Sequence, residues 1–215
     1  MTGTTQKQVD LVVSTIAQAA VDNETYFGDL DAVMGDGDFG YSLARGFEKV
    51  LEGWDDIDRS DPGTFLKKVG MIVTSRIGGT SGPIWGTAFM KAGMTAGSSE
   101  TLSGQDVVAM LRAAVEGIKM RGQSDVGDKT LLDVLVPMTD RIESELAAGA
   151  SPGQVVAAAA ETARLSAEAT IDMVAKRGRV SYTGERSKGS VDAGAMGVAV
   201  IVERVNEVWT PKEAS

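Results

Sequence analysis

The chain has 215 residues, enough for one domain with a substantial core, and its formal net charge is −9. This charge argues against binding to nucleic acid or to an anionic membrane surface, so an anionic ligand would need metal ions or a local cluster of cations. The chain contains no cysteine and no histidine, which excludes disulfides, thiolate zinc sites and a histidine base. The first ten residues are polar and no apolar run approaches 18 residues, so we expect a soluble, cytoplasmic protein.

Apolar residues recur at helical spacing along most of the chain, and strand-like alternation is almost absent. Asp61-Pro62 and Ser151-Pro152 are helix start signals, and Arg121-Gly122 is a typical helix end. We therefore predict an all-α protein of about eight helices, in which residues 1–215 form a single domain. The predicted helices have their apolar faces in 9–20, 43–54, 65–73, 84–96, 107–118, 131–146, 151–176 and 192–208.

An acidic, glycine-rich stretch, Gly28–Gly40, follows the first predicted helix. It holds four aspartates, Asp29, Asp31, Asp36 and Asp38, and contains no lysine or arginine. Glycine allows close approach of the backbone, so a loop of this kind can bring its carboxylates to one point. Carboxylates so close repel one another unless they share a proton or a cation, and their hard oxygen ligands suit Mg²⁺ or Ca²⁺.

Two alternatives fit the same stretch. Gly35, Gly37 and Gly40 satisfy the spacing of a dinucleotide-binding fingerprint, but that motif needs a hydrophobic strand in front and places pyrophosphate directly on the backbone. Here the flanking residues are acidic and would repel pyrophosphate, which disfavours the fingerprint. The second alternative is an acidic surface loop in which Asp36 or Asp38 caps the next helix, and the stretch alone leaves it open.

Two further loops are too rich in glycine and polar residues to be ordinary helix connections. In Gly78–Pro83, Ser81 precedes a helix whose first N–H groups could hold phosphate oxygens, although a plain turn with an N-cap fits as well. The loop 122–130 comes within one residue of the P-loop pattern, with Asp128 inserted and a helix in front where a P-loop has a strand, so we reject that motif. Thr130 and the following helix N-terminus remain available to a ligand.

The stretch 176–194 is the one strongly basic loop of this acidic chain. A connection of this length is usually functional or disordered, and a solvated basic face is the alternative. A metal-binding acidic loop and a basic loop in one small domain together suggest a polyphosphate ligand. The basic residues are Lys176, Arg177, Arg179, Arg186 and Lys188.

The four loops, in this order, resemble the L subunit of dihydroxyacetone kinase, the nucleotide-binding subunit of that family. The resemblance spans nearly the whole chain and implies a barrel of eight antiparallel helices that binds nucleotide at one end. That fold agrees with the helix count obtained from the periodicity. The matching segments are Asp31-x4-Asp36-Gly-Asp38-x-Gly40, Gly78–Pro83, Gly127–Thr130 with Asp133, Lys176–Ser187, and Asp192-Ala-Gly194.

The resemblance also implies site residues. Asp31, Asp36 and Asp38 would coordinate two Mg²⁺ ions bridging the phosphates of ADP or ATP, and Arg179 would be the catalytic residue that neutralises charge. Phe39 stands where the family has histidine and Ala193 where it has proline, and neither change removes a metal ligand. With Thr130 added from its loop, the expected nucleotide contacts are Phe39, Gly40, Tyr41, Ser42, Thr80, Ser81, Gly122, Thr130, Leu131, Arg179, Asp192, Ala193 and Gly194.

The implied activity is transfer of a γ-phosphoryl group to a hydroxyl of a small ketose, with dihydroxyacetone as the default substrate and erythrulose or a related ketose as alternatives. In the family the ketose is held by a separate K subunit through a histidine, which this chain could not supply. Two phosphoryl donors remain open, exchangeable ATP and a phosphotransferase-system protein that rephosphorylates bound ADP. The alternative from another functional class is a non-catalytic module that docks on a partner or regulator when loaded with nucleotide.

Overall fold

The computed structural model describes residues 4–209 and, of Arg179, the backbone alone. Within this range the chain forms nine α-helices and two very short strands. The helices are α1 (Gln6–Asp22), α2 (Glu24–Ala32), α3 (Phe39–Glu52), α4 (Pro62–Arg76), α5 (Ser81–Ala96), α6 (Gly104–Gly122), α7 (Leu132–Ala147), α8 (Pro152–Ala169) and α9 (Ala193–Trp209), and the strands are β1 (Thr4–Thr5) and β2 (Thr101–Leu102). Three 3₁₀ segments cover Trp54–Asp56, Thr170–Asp172 and Arg179–Ser187.

Eight of the helices close into a ring. From α3 to α9 each helix packs against the next along the chain, α9 packs against α1, and α1 packs against α3, while the short α2 packs against α3. Thr4 of β1 pairs with Leu102 of β2, which places the starts of α1 and α6 at one end of the ring. The starts of α3, α5, α7 and α9 line a cleft at the other end. The predicted barrel of eight antiparallel helices is therefore confirmed.

Side-chain caps fix three helix starts at the end away from the cleft. Oδ1 of Asp61 accepts from the Thr64 N–H at 2.7 Å, and the Ser103 and Ser151 hydroxyls cap α6 and α8 in the same way. Such caps satisfy N–H groups that have no partner inside the helix. Two of these starts, at Asp61-Pro62 and Ser151-Pro152, are the ones that the sequence predicts.

The interior of the ring is apolar. Phe47 is fully buried and packs edge-on against Trp85 and Phe89, with ring centroids 6.2 and 6.0 Å apart. A second part of the interior, toward α1 and α5 to α9, is a cavity of about 800 Å³ with a mainly aliphatic lining. The interior of the barrel thus contains few polar or charged side chains that could bind a ligand or take part in catalysis. Such side chains lie in the loops at its ends. No described helix has the length and apolar character needed to span a membrane.

Two elements differ from the sequence prediction. Residues 24–32 form a helix, so Asp29 and Asp31 lie on α2 and not in a loop; the helix escapes the periodicity because Phe27 is its one buried residue. The other helix, α8, ends at Ala169 and not near Lys176. There the Thr170 hydroxyl donates to the Ala167 carbonyl at 2.6 Å and accepts from the Asp192 N–H at 2.9 Å, so local side-chain bonds replace the helical ladder.

Candidate functional site

Asp31, Asp36 and Asp38 converge at one point. Each contributes a carboxylate oxygen, and these three oxygens all lie within 4.8 Å of one another. Asp31 belongs to the last turn of α2, Asp36 to the following connection, and Asp38 immediately precedes α3. Asp29 is exposed and lies outside this cluster. Asp38 occupies the N-cap position of α3 without forming a side-chain cap bond, so the capping alternative is wrong for Asp38.

Glycine at position 35 lets the cluster form. The Gly35 N–H donates to the Asp31 carbonyl at 2.5 Å, and a Cβ on Gly35 would lie 2.2 Å from Oδ1 of Asp31. The other carboxylate oxygen of Asp31 accepts from the Phe39 N–H at 3.4 Å. The carboxylate of Asp31 is thus directed by the start of α3 and occupies the space that a side chain at position 35 would need.

The donor set fits a hard divalent cation. Three carboxylates at this spacing repel one another unless they share a proton or a cation. Magnesium takes a small number of carboxylate ligands and completes its coordination with water and phosphate oxygens. Asp31, Asp36 and Asp38 are therefore the residues that would hold Mg²⁺ in this protein.

The carboxylates line a cleft of about 520 Å³ at the end of the barrel where α3, α5, α7 and α9 begin. At the start of α7 the Thr130 hydroxyl accepts from the Leu132 N–H at 3.2 Å. The N-cap side chains of α3 and α5 form no cap hydrogen bond, in contrast to those of α4, α6 and α8 at the opposite end. Anions bind readily at such helix starts, because the first N–H groups lack partners within the helix and the helix dipole is positive there. The cleft thus combines three grouped carboxylates with helix starts.

Part of the cleft lining is apolar. It includes Ile84 and Trp85 from α5, Ile118 from α6, Leu131 at the start of α7, and Val180 from the 3₁₀ segment Arg179–Ser187. A pocket with apolar walls and a few grouped polar sites is typical of small-molecule and cofactor binding. The apolar spacing predicts Ile84 and Ile118 on helix faces and does not reveal their part in the cleft, because an apolar residue at the end of a barrel helix has the same spacing as a core residue.

The structure brings together most of the residues expected to contact nucleotide, and these contacts stay predictions. Gly40, Tyr41 and Ser42 occupy the first turn of α3 without lining the cleft. A Cβ on Gly40 would lie 2.0 Å from the Glu24 carbonyl oxygen, and Tyr41 is 59% exposed. The side chain of Arg179 lies outside the described residues. The expected residues that do line the cleft are Phe39, Thr80, Ser81, Gly122, Thr130, Leu131, Asp192, Ala193 and Gly194.

Asp192 begins α9 at the edge of the cleft. Its Oδ1 accepts from the Ala195 N–H at 2.7 Å, which caps the helix. Although the residue as a whole is half-buried, its carboxyl group is enclosed, and this burial raises the pKa of Asp192 to about 6. The Ala195 N–H and the Lys129 ammonium oppose the rise in pKa, whereas the charges of Asp133 and Asp31 add to it.

The basic residues of the stretch 176–194 separate into different environments. Lys176 and Arg177 each lie 3.5 Å from the Asp128 carboxylate, and Arg177 also lines the cleft. Lys188 forms an ion pair with Glu185 at 3.0 Å and does not line the cleft. The described part of the loop therefore brings one cation, Arg177, to the cleft edge.

This chain is similar to known proteins in sequence and in fold. The family model described as DAK2 domain matches residues 33–207. The chain is 37% identical to the "PEP-dependent dihydroxyacetone kinase, ADP-binding subunit DhaL" of Escherichia coli (strain K12), with 83% of this chain and 85% of the relative aligned. It is 34% identical to the "L-erythrulose 1-kinase" of Mycolicibacterium smegmatis, over 95% of this chain and 36% of that protein.

A solved structure has the same fold. The native form of the dihydroxyacetone kinase of C. freundii superposes with a TM-score of 0.72 at 25% identity, and the match covers 93% of this chain and 34% of that chain. This chain therefore spans most of the Escherichia coli relative and about a third of the two longer kinases.

Proposed function

Because this chain belongs to the DAK2 domain family and is of the DhaL type, we propose that it is the nucleotide-binding subunit of a small-ketose kinase. It binds ADP or ATP with two Mg²⁺ ions and passes the γ-phosphoryl group to a ketose held on a separate K subunit. The names of the relatives support this class of substrate, since one is a subunit of a dihydroxyacetone kinase and the other acts on L-erythrulose.

One observation carries the proposal. The three carboxylates lie within 4.8 Å of one another in a cleft where four helices begin. Carboxylates alone would repel a polyphosphate, and helix starts alone would not select one. Together they match a phosphate chain that arrives with divalent cations, because the cations neutralise the carboxylates and the helix ends meet the remaining oxygens.

The chain's own residues then have distinct tasks. Magnesium, when bound, supplies charge neutralisation for the phosphate oxygens. Asp31, Asp36 and Asp38 hold the ions, and the start of α5, with Thr80 and Ser81, orients phosphate oxygens. Ile84 and its apolar neighbours provide the surface for the base, and Arg179, assigned by family resemblance, neutralises the transferred group. With no histidine in the chain, catalysis depends on positioning and charge and not on an imidazole base.

The site assignment is tested by titrating ADP with and without Mg²⁺ in a calorimeter. Asp36→Ala and Asp38→Ala remove one ligand each and are expected to weaken Mg²⁺-dependent binding at least about tenfold, the loss that accompanies about 1.4 kcal/mol. Asp29→Ala is the matched control, because Asp29 is an exposed aspartate of the same stretch outside the cluster. Unchanged Mg²⁺-dependent binding in both cluster variants would overturn the assignment.

The activity itself is tested by adding a dihydroxyacetone kinase K subunit and following ketose phosphate. We expect product only when both proteins are present, with dihydroxyacetone and erythrulose compared as acceptors. Free ATP and phosphorylated phosphotransferase-system proteins, supplied in separate reactions, distinguish the two donors. Tight Mg²⁺-dependent ADP binding without turnover under any of these conditions would instead identify a non-catalytic nucleotide-loaded module.

A further inference from the structure

Lys129 is a buried cation in the wall of the cleft, and its hydrogen-bond partners are backbone carbonyls. The residue is 2% exposed, and its ammonium group donates to the carbonyls of Met173 at 3.2 Å, Ser190 at 2.7 Å and Ser187. An ammonium group has three N–H donors, so this set of partners uses all of them. Lys129 therefore joins the beginning and the end of the segment 173–190 at one point.

The residues around Lys129 are fixed independently. The Asp133 carboxylate, 4% exposed, accepts from the Gly127 N–H at 2.5 Å and from the Thr130 N–H at 2.7 Å, which attaches the loop 122–130 to the start of α7. The Asp128 carbonyl accepts from the Lys176 N–H at 3.1 Å. Lys129 thus extends from a loop that α7 holds in place to a segment that lacks regular α-helix.

The backbone conformation and the burial of Lys129 are both energetically unfavourable. Its φ of 62° lies in the left-handed region, where Gln123 is the one other non-glycine residue among those described. Burial lowers the pKa of Lys129, and the charge of Asp192 opposes that change. A buried cation is tolerated when hydrogen bonds replace its hydration, as the three carbonyls do here. A loop that only connected two helices would need neither the left-handed backbone at Lys129 nor the burial of its ammonium group.

We propose that Lys129 is a positioning residue of the nucleotide cleft, holding the segment 173–190 against the loop 122–130. The held segment carries Val180 and Ser190, which line the cleft, and leads to Asp192 at the start of α9. Because its three donors are engaged by carbonyls, Lys129 supplies geometry and no direct bond to phosphate. The inference rests on the proposed function and assigns to that same site a residue that controls the shape of its wall.

The test compares two substitutions of the lysine in the full chain. Lys129→Met keeps an unbranched side chain and removes the donors, whereas Lys129→Arg keeps a charge and several donors. Lys68→Met, at an exposed position on α4, controls for the loss of one positive charge. Hydrogen exchange is followed at the amides of Ala175 and Gly189, which donate to Ser187 Oγ at 2.9 Å and to the Ile171 carbonyl at 2.8 Å.

We expect Lys129→Met to speed exchange at these two amides at least about tenfold and to raise the Kd for Mg²⁺–ADP by a similar factor, as lost bonds to a charged group imply. Exchange in α5 should stay unchanged, since a general loss of stability would raise it there as well. Lys129→Arg should restore part of both effects, and Lys68→Met should behave as the unsubstituted protein. Adenosine, which has no phosphate, should lose affinity in parallel with ADP.

Ser187→Ala provides a second approach that leaves Lys129 in place. Ser187 is buried, and its hydroxyl accepts from the Ala175 N–H and donates to the Gly184 carbonyl at 2.6 Å, so its removal loosens the same segment. We expect a smaller rise in exchange at Gly189 and in the Kd for Mg²⁺–ADP, and Ala175 does not serve as a reporter in this variant because its acceptor is removed. This variant carries the test if Lys129→Met does not fold. The inference is overturned if hydrogen exchange in the segment is unchanged. It is also overturned if the variants lose affinity for ADP and keep their affinity for adenosine.

The two proposals fail separately. If the unsubstituted protein does not bind Mg²⁺–ADP, the proposed function fails, and exchange at Ala175 and Gly189 still decides whether Lys129 holds the segment. If the unsubstituted protein binds Mg²⁺–ADP and Lys129→Met speeds exchange without weakening binding, the proposed function stands and the positioning role is wrong.

Discussion

Gly35 and Asp31 share a space that can hold only one side chain. The Asp31 carboxylate lies where the Cβ of any other residue at position 35 would come within 2.2 Å of Oδ1. A separation below 3.0 Å forces a shift, and Asp31 cannot move without leaving the cluster that it forms with Asp36 and Asp38. The glycine at this position thus determines the geometry of the proposed metal site without contributing a ligand.

Gly35→Ala is therefore expected to weaken Mg²⁺-dependent ADP binding at least about tenfold, close to the effect of removing a ligand. Because the loop can relax at the end of the barrel, we expect little change in melting temperature. Gly153→Ala is the matched control, since a Cβ on Gly153 meets nothing within 4 Å and alanine favours the first turn of α8. Equal affinity of Gly35→Ala and the control would show that the cluster tolerates displacement of Asp31.

Asp133→Asn should weaken the attachment of the loop 122–130 to α7. Both carboxylate oxygens of Asp133 accept backbone N–H groups, from Gly127 and Thr130, whereas an amide offers one acceptor and turns a donor toward the other N–H. The expected loss of unfolding free energy is about 1–3 kcal/mol, measured by urea denaturation. Asp140→Asn, at an exposed position two turns along the same helix, removes an ion pair with Arg112 at 2.6 Å and should cost less than about 1 kcal/mol. Similar losses in the two variants would contradict the buried role of Asp133.

The order of the helices could be predicted from sequence because apolar spacing and start signals are local. Asp61-Pro62 and Ser151-Pro152 mark real helix starts, and the eight-helix ring follows from amphipathic segments with short connections. The aspartate cluster could likewise be predicted from sequence, because glycines and aspartates alternate there with no lysine or arginine among them. The helix α2 was missed since its single buried residue, Phe27, creates no period.

Other parts of the site depend on packing that no local pattern encodes. Ile84 and Ile118 have the spacing of core residues, and only the closed ring brings their ends of α5 and α6 to the cleft. Lys129 belongs to a Lys-Thr pair that resembles a phosphate-binding motif, and its carbonyl partners lie 44 to 61 residues later in the chain. Contacts over such separations are a product of the tertiary fold.

Phe39→His introduces at the cleft the residue that the sequence resemblance implies for this position. Phe39 is 8% exposed, and its ring centroid lies 5.9 Å from that of Phe27. At pH 8, where the imidazole is neutral, its buried polar atoms should cost about 1–3 kcal/mol of unfolding free energy by thermal or urea denaturation. Tyr41→His, at an exposed neighbouring position, should change stability by less than about 0.5 kcal/mol. A Phe39→His variant as stable as the unsubstituted chain would mean that the site already accommodates a polar ring.

Asp192 should make the Mg²⁺-free protein less stable as the pH rises. Burial raises the pKa of its carboxyl group from 3.8 to about 6, so between these values the folded state binds more protons than the unfolded state. Stability from this group is greatest below the unfolded pKa and falls as the pH passes through the folded pKa. The expected decrease from pH 4 to pH 7 is on the order of 2 kcal/mol.

Asp192→Asn isolates that contribution, because the amide oxygen can still accept the Ala195 N–H that caps α9. The difference in unfolding free energy between the variant and the unsubstituted protein should grow in the variant's favour from pH 4 to pH 7. Asp61→Asn is the opposite control: the Thr64 N–H lowers the pKa of Asp61, so the native carboxylate stabilises the protein above its unfolded pKa and loses that effect as the pH falls. Urea denaturation at a series of pH values without divalent cations measures both differences. A difference that does not vary with pH for Asp192→Asn would mean that its carboxyl group is hydrated in the folded protein.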